Sequence, residues 1–231
     1  MRRSIATLAL VLSLAGSASA SATARRAARI CATGHCHTLM TGPRARLFRL
    51  TRMAHGFVVS SVLYGEDRRT GRVTTVVGGD VETQPVVELP FLAGTYAALV
   101  LVRTGKYNEE GAQVWIERVD LQTGRRLNSR RLPPGPAGEG CDGGLPFKAP
   151  GVTDLIVTAK GALAWLLGGA YDPVTNAPEL GDYRVCLLTG TGRAPTVLAA
   201  GDTIGPRSLA ATPERLYWSE GGEPRTAPLP G

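Results

Sequence analysis

Short apolar runs separated by turn residues make up most of this chain. From Arg44 onward they recur roughly every 8–12 residues and usually end at Thr-Gly or another glycine-containing turn. Regularly spaced short strands are typical of an all-β sandwich, barrel or propeller. The pattern therefore predicts an all-β domain over residues 44–231. The predicted strands cover residues 57–64, 73–77, 96–102, 113–120, 153–158, 162–167, 183–188, 195–199, 208–211, 215–219 and 224–229.

Part of this pattern repeats along the chain. One unit spans residues 154–198, a second spans residues 208–229, and a weaker copy spans residues 96–131. The first two place Trp165 and Trp218 at the end of their second strand, and each unit continues to a short outer strand. The units resemble blades of WD40-like or TolB-like β-propellers of secreted bacterial proteins, which is a resemblance to an architecture and not to one family.

The resemblance implies a propeller-like array of short antiparallel meanders. At about 40–45 residues per blade, the chain would hold four to five blades. Each inner strand would then be buried on both faces by neighbouring blades, which suits continuous apolar runs such as residues 163–167. A two-sheet β-sandwich is the alternative fold.

The first twenty residues have a different pattern. Arg2 and Arg3 precede an apolar run from Ile5 to Gly16, and the small residues Ala18-Ser19-Ala20 follow. This order is that of a secretory signal peptide, and a run of about twelve residues is shorter than the roughly 20 that span a membrane. We therefore predict a signal peptide over residues 1–20 and a secreted, extracellular mature protein with no transmembrane span.

The chain has four cysteines, an even number that favours two disulfides in an exported protein. Of the three possible pairings, we favour Cys31–Cys36 and Cys141–Cys186. The first closes a small loop, and the second joins two halves of the C-terminal region. Residues 21–43 otherwise lack a strand pattern and are predicted to be irregular.

Two histidines, His35 and His37, lie beside Cys36. This grouping offers metal ligands or a stretched haem-attachment motif as alternatives to the disulfide. A structural zinc site usually takes its ligand pairs from two separated elements, and seven consecutive residues do not supply these. A disulfide with two exposed histidines is therefore favoured, and no metal or cofactor site is predicted.

Basic residues exceed acidic ones, which gives the chain a formal net charge of +7. Loss of Arg2 and Arg3 with the signal peptide lowers this to 7 − 2 = +5. Short basic clusters lie at Arg25-Arg26, Arg68-Arg69, Arg125-Arg126 and Arg130-Arg131. Aromatic residues make up only 6% and do not alternate with these clusters, as stacking platforms for single strands would require. Nucleic acid is therefore not a predicted partner.

Catalytic motifs of diagnostic spacing are not found in the sequence. A serine hydrolase would depend on His35, His37 or His55, the three histidines of the chain. A glycosidase needs two carboxylates roughly 5–10 Å apart, and the sequence pairs none of its candidates. These candidates lie in turn-rich segments: Glu139, Asp142, Asp154, Asp172, Asp182 and Asp202. The glycine-rich loop 138–144 suits a connection held by its disulfide, and no catalytic residue is predicted.

Two main function classes follow from these observations. The first is a secreted, non-enzymatic binding module whose partner is an extracellular protein, a glycan or a small molecule. The alternative is an extracellular hydrolase or lyase with a central pocket lined by carboxylates and arginines, and a structural role at the cell wall is a third class. A centre rich in Asp, Glu, Arg and Tyr would favour the enzyme, whereas a uniformly apolar centre would favour binding.

Overall fold

Antiparallel β-sheets account for nearly all regular structure in the computed structural model of this protein. It describes residues 26–80, 85–104, 112–132, 140–141, 151–168, 170–171, 178–179, 183–190 and 194–229. Within these ranges, four small sheets have three or four strands each, and residues 26–31 form a short helical segment. The predicted all-β class is confirmed.

The four sheets follow one another along the chain, and strands adjacent in each sheet pair antiparallel. Sheet A contains β1 (His35–Thr41), β2 (Ala45–Ala54), β3 (Phe57–Asp67) and β4 (Arg72–Asp80). Sheet B contains β5 (Val86–Ala93), β6 (Tyr96–Thr104), β7 (Ala112–Asp120) and β8 (Arg125–Leu132). Sheet C contains β9 (Val152–Val157), β10 (Leu163–Leu167), β13 (Tyr183–Leu188) and β14 (Thr196–Gly201), with the small hairpin of β11 (Ala170–Tyr171) and β12 (Pro178–Glu179) between β10 and β13. Sheet D contains β15 (Ala210–Ala211), β16 (Arg215–Glu220) and β17 (Glu223–Pro228).

Three hydrophobic cores lie between successive sheets, one between A and B, one between B and C and one between C and D. Leu47 and Leu63 of sheet A pack with Leu99 of sheet B. Trp165 of sheet C is fully buried in the next core, which sheet B completes from its other face. The opposite face of sheet C packs against Leu216 of sheet D. Sheets B and C are thus covered on both faces, whereas a two-sheet sandwich has a single core between its layers.

The structure differs from the expectation for residues 21–43. Residues 26–31 are helical, and β1 is a strand that pairs with β2 along the edge of sheet A. Ala27 of the helical segment is buried against Phe48 and Val73 on the outer face of the sheet. Strand β1 is mostly exposed, so it lacks the alternation of apolar residues from which a half-buried strand is predicted.

A β-bulge changes the direction of side chains in β5. Glu88 pairs with Val100 and Phe91 pairs with Ala98, so β5 holds one residue more than β6 between these pairs. Leu89, within the bulge, has a φ of 43°. Val87, before the bulge, packs in the core with sheet A, whereas Phe91 packs in the cores around sheet C. Because an extra residue shifts the alternation of faces, the bulge turns the end of β5 toward sheet C.

Arg118 of β7 connects sheet B to two turns of sheet C. Its guanidinium donates hydrogen bonds to the carbonyl oxygens of Gly161 and Gly190, the second at 2.6 Å. The residue is only 2% exposed. Burial lowers the pKa of Arg118 below its ordinary value, and Tyr96 opposes that shift. The group remains a cation at neutral pH because a guanidinium does not deprotonate there.

Candidate functional site

Both predicted disulfides are present. Cys31 and Cys36 are joined between the end of the helical segment and β1, with their Cα atoms 5.3 Å apart. Cys141 and Cys186 are joined with their Cα atoms 5.8 Å apart. These bonds use the sulfur atoms that a metal or haem site would need. They are compatible with an extracellular protein, because disulfides persist in oxidising compartments.

The three histidines do not form a site in the described part of the chain. His35 and His37 are exposed on β1, and His55 is exposed in the turn between β2 and β3. Across the described residues, no group of three or more His, Cys, Asp and Glu side chains is arranged to hold a metal ion. In the same residues, no helix is both long and apolar enough to cross a bilayer.

The candidate carboxylates are not brought together among the residues that the structure describes. Glu139, Asp142, Asp172 and Asp182 lie outside the described residues, as do the predicted signal peptide and most of loop 138–144. Asp202 is exposed in a turn. Asp154 is a structural residue of β9: its carboxylate accepts hydrogen bonds from the backbone amides of Leu155 at 2.9 Å and Leu209 at 2.8 Å. It thereby connects sheet C to the segment leading into sheet D.

An apolar groove of about 510 Å³ lies where sheets B, C and D meet. Phe91 and Ala93 contribute from β5, Ile156 and Val157 from β9, and residues 209–213 from β15 and its flanks. The lining also includes the hydroxyls of Thr158 and Thr212. Both hydroxyls hydrogen bond to nearby backbone, Thr158 to the amide of residue 162 and Thr212 to the amide of residue 215. None of the described lining residues is titratable.

Three sheet edges border this groove. β5, β9 and β15 each lie at an edge of their sheet, and each contributes lining residues. An edge strand presents N–H and C=O groups on the side that has no neighbouring strand. Ala210 and Ala211 of β15 are exposed, so small side chains leave this edge accessible. The groove therefore combines apolar side chains with backbone groups that are able to pair with another extended chain.

The sequence did not predict β5 or the groove. Pro90 lies inside the run 86–93, and a proline within an apolar run argues against a central strand. It is nonetheless compatible with an edge strand, and β5 is one. The alternating Val87, Leu89 and Phe91 were the signal that could have identified the strand.

No protein-family model matches the sequence, and no curated protein matches it either. Function must therefore be inferred from the residues of the chain and their arrangement. The apolar groove is the described feature best suited to hold an apolar ligand, because a volume within the roughly 300–1,000 Å³ of ligand pockets is combined with a mostly apolar lining.

Proposed function

We propose that this chain is a secreted, non-enzymatic binding module that holds an extended apolar peptide segment of another extracellular protein. The segment would occupy the groove between β5, β9 and β15. The observation that carries the proposal is the composition of this groove, whose described lining is apolar apart from two threonine hydroxyls. An apolar lining favours the binding module over the hydrolase or lyase, whose pocket would be lined by carboxylates and arginines.

The sheet edges favour an extended peptide over a glycan or a small molecule. A peptide in β conformation adds main-chain hydrogen bonds to an exposed edge and places alternate side chains in the adjoining pockets. A glycan would need a dense set of polar groups or aromatic faces, and Phe91 is the one aromatic residue in the described lining. The proposal therefore specifies a partner segment with apolar residues at every second position.

A hydrolase or lyase has no support from the described lining. Such an enzyme needs groups that transfer protons or act as nucleophiles within the pocket. Asp154, the nearest of the predicted carboxylates in sequence to the lining, accepts two backbone hydrogen bonds. Its position thus suits the attachment of sheet D to sheet C more than general acid–base chemistry.

We interpret the four sheets as the blades of a propeller-like array. Support comes from the first strands of successive sheets: β5 contacts β1 on one side and β9 on the other. The groove would then lie along the line where the first strands of three blades meet. A central position between blades is a common place for ligands, since it is concave and bordered by several elements.

Export is the remaining part of the proposal. The signal-like sequence of residues 1–20 supports it, and the two disulfides are compatible with it. Edman sequencing of the protein recovered from culture medium tests this part directly. The expected N-terminus is Ser21, and recovery of the intact chain from the cytoplasm with free thiols would contradict export.

Fluorescence anisotropy with a labelled peptide tests binding. The probe is the acetylated hexapeptide Leu-Ser-Leu-Ser-Leu-Ser, which presents leucine on one face when extended. Burial of each leucine contributes about 2 kcal/mol, and ordering of the peptide removes part of this gain. We expect saturable binding with a Kd on the order of 100 μM.

Two matched comparisons make the result specific. Methylation of the three serine amides removes N–H donors but keeps the leucines, so we expect much weaker binding. Ala210→Phe fills the groove, whereas Ala200→Phe adds the same bulk at an exposed position of the outer strand of sheet C. We expect Ala210→Phe to abolish binding and Ala200→Phe to preserve it. Absence of binding to the native protein, or equal binding by both variants, would contradict the proposal.

A further inference from the structure

Two turns with the same sequence pattern lie on neighbouring sheets. The β3–β4 turn runs from Asp67 through Thr70 and Gly71 to Arg72, and the β7–β8 turn, residues 120–125, has the same four residue types at the same spacing. In the first turn, the Asp67 carboxylate accepts hydrogen bonds from the amide of residue 69 and from the Thr70 hydroxyl, both at 2.9 Å.

The second turn repeats these contacts. The Asp120 carboxylate accepts hydrogen bonds from the amide of Gln122 at 2.9 Å and from the Thr123 hydroxyl at 2.7 Å. In both turns the glycine amide donates to the aspartate carbonyl oxygen at 2.7 Å. Both turns are therefore fixed by internal hydrogen bonds.

The two turns lie against each other. A Cβ atom built on Gly124 would be 3.0 Å from both Nε and Nη2 of Arg72, so the guanidinium rests on the glycine backbone. Gly124 also has a φ of 72°, which favours glycine. A groove of about 580 Å³ lies beside this contact and is lined by Arg26, Arg72, Thr74 and Gln122 together with the turn glycines.

The arginines at this groove outnumber the two turn aspartates, Asp67 and Asp120, whose hydrogen bonds come from neutral amide and hydroxyl groups. Within the described part of the chain, four exposed arginines of the turns and the adjoining helical segment have no acidic partner: Arg26, Arg69, Arg72 and Arg125. The nearby glutamates are paired, Glu66 with Arg46 at 2.7 Å and Glu117 with Arg126 at 3.3 Å.

Residues from three of the four basic clusters of the sequence lie in these turns, beside them or in the groove. The residues concerned are Arg26 of the first cluster, Arg68 and Arg69 of the second, and Arg125 and Arg126 of the third. Two arginines, Arg26 and Arg72, line the groove itself, and like charges in one concave region raise the local concentration of anions. The feature is separate from the apolar groove, whose lining comes from sheets B, C and D.

We propose that this cationic groove binds a phosphate or sulfate group of a ligand. The guanidinium groups of Arg26 and Arg72 would each donate paired hydrogen bonds to oxyanion oxygens, a geometry that arginine offers and lysine does not. The Thr74 hydroxyl and the Gln122 amide line the same groove and supply neutral donors. This inference does not depend on peptide binding at the other groove.

Isothermal titration calorimetry with inorganic phosphate and with sodium sulfate, in separate experiments at low ionic strength, tests the site. We expect one or both anions to bind with a stoichiometry of one, and acetate to bind more weakly because it has a single charge. Binding of one anion only identifies which ester the site selects, and binding of both assigns the shared oxyanion chemistry. Absence of binding by either anion would overturn the proposal.

Variants separate a defined site from general attraction to a basic protein. Arg72→Gln removes one guanidinium and is expected to weaken anion binding about tenfold, since hydrogen bonds between charged groups are the strong ones. Arg72→Lys keeps the charge but not the fork, and we expect an intermediate loss. Arg215→Gln changes an equally exposed arginine on sheet D and should leave binding unchanged. Equal affinities in Arg72→Gln and the native protein, or equal losses in Arg72→Gln and Arg215→Gln, would overturn the proposal.

Discussion

Replacement of Arg118 tests how sheets B and C are held together. The two hydrogen bonds from its guanidinium reach the carbonyl oxygens of Gly161 and Gly190, on two different turns of sheet C. A hydrogen bond to a charged group contributes about 1.5–3 kcal/mol. Removal of the side chain also leaves two carbonyl groups without this donor, while it relieves the desolvation of a buried cation.

These opposing effects give a net loss of about 3 kcal/mol in the free energy of unfolding for Arg118→Ala. For a chain of this size, about 2–4 °C is lost per kcal/mol, so the Tm should fall by about 6–12 °C. Arg118→Met keeps apolar packing and removes the cation, and we expect a smaller loss of about 2 kcal/mol. Arg118→Lys retains one donor group and should lie between the native protein and Arg118→Ala.

Urea denaturation of the oxidised proteins, followed by tryptophan fluorescence, measures these differences. Arg215→Ala is the control, because this exposed side chain should change stability by less than about 0.5 kcal/mol. The midpoints should shift with little change in the denaturant slope. If Arg118→Met were as stable as the native protein, the two hydrogen bonds would make no net contribution and the reasoning would be refuted.

Three further predictions concern stability. By loop entropy, replacing Cys141 and Cys186 by alanine should lower the free energy of unfolding by about 4 kcal/mol, and replacing Cys31 and Cys36, which close a shorter loop, by about 2 kcal/mol. The Cys141 and Cys186 double variant should therefore have the lower urea midpoint of the two. Asp154→Ala should lower the free energy of unfolding by about 1–2 kcal/mol, because the amides of Leu155 and residue 209 lose their acceptors. Asp154→Asn keeps one acceptor oxygen in place of two, so it should recover only part of this loss in thermal denaturation. Phe57→Ser should change stability by less than about 0.5 kcal/mol, because Phe57 is 76% exposed, and a Tm drop of several degrees would show hidden packing.

Strands buried on both faces were the most predictable part of the fold. Residues 183–188 were predicted as a strand, and β13 has these same bounds, with all six residues buried. Continuous apolar runs bounded by turns carry enough information to locate such strands. Strand β2 was not predicted because its arginines interrupt the apolar alternation, although four of its first six residues are buried.

The disulfide pairing was predicted, whereas the groove was not. The pairing of two disulfides is a restricted problem, since four cysteines allow three pairings. The groove instead combines residues 91–93, 156–159 and 209–213, which only the stacking of sheets brings together. Its lining consists of ordinary apolar residues, and these carry no motif. The repeated Asp-x-x-Thr-Gly-Arg turn, in contrast, was visible in the sequence at residues 67–72 and 120–125.

Hydrogen–deuterium exchange of the native protein with the Leu-Ser hexapeptide tests the central claim most directly, because it locates the peptide as well as detecting it. Pairing of the peptide with a sheet edge should slow amide exchange in β5, β9 or β15, since each edge borders the groove. Exchange in β1 of sheet A, an edge that does not line the groove, should not change. Unchanged exchange in all three groove strands under saturating peptide, or protection in β1 alone, would contradict the account.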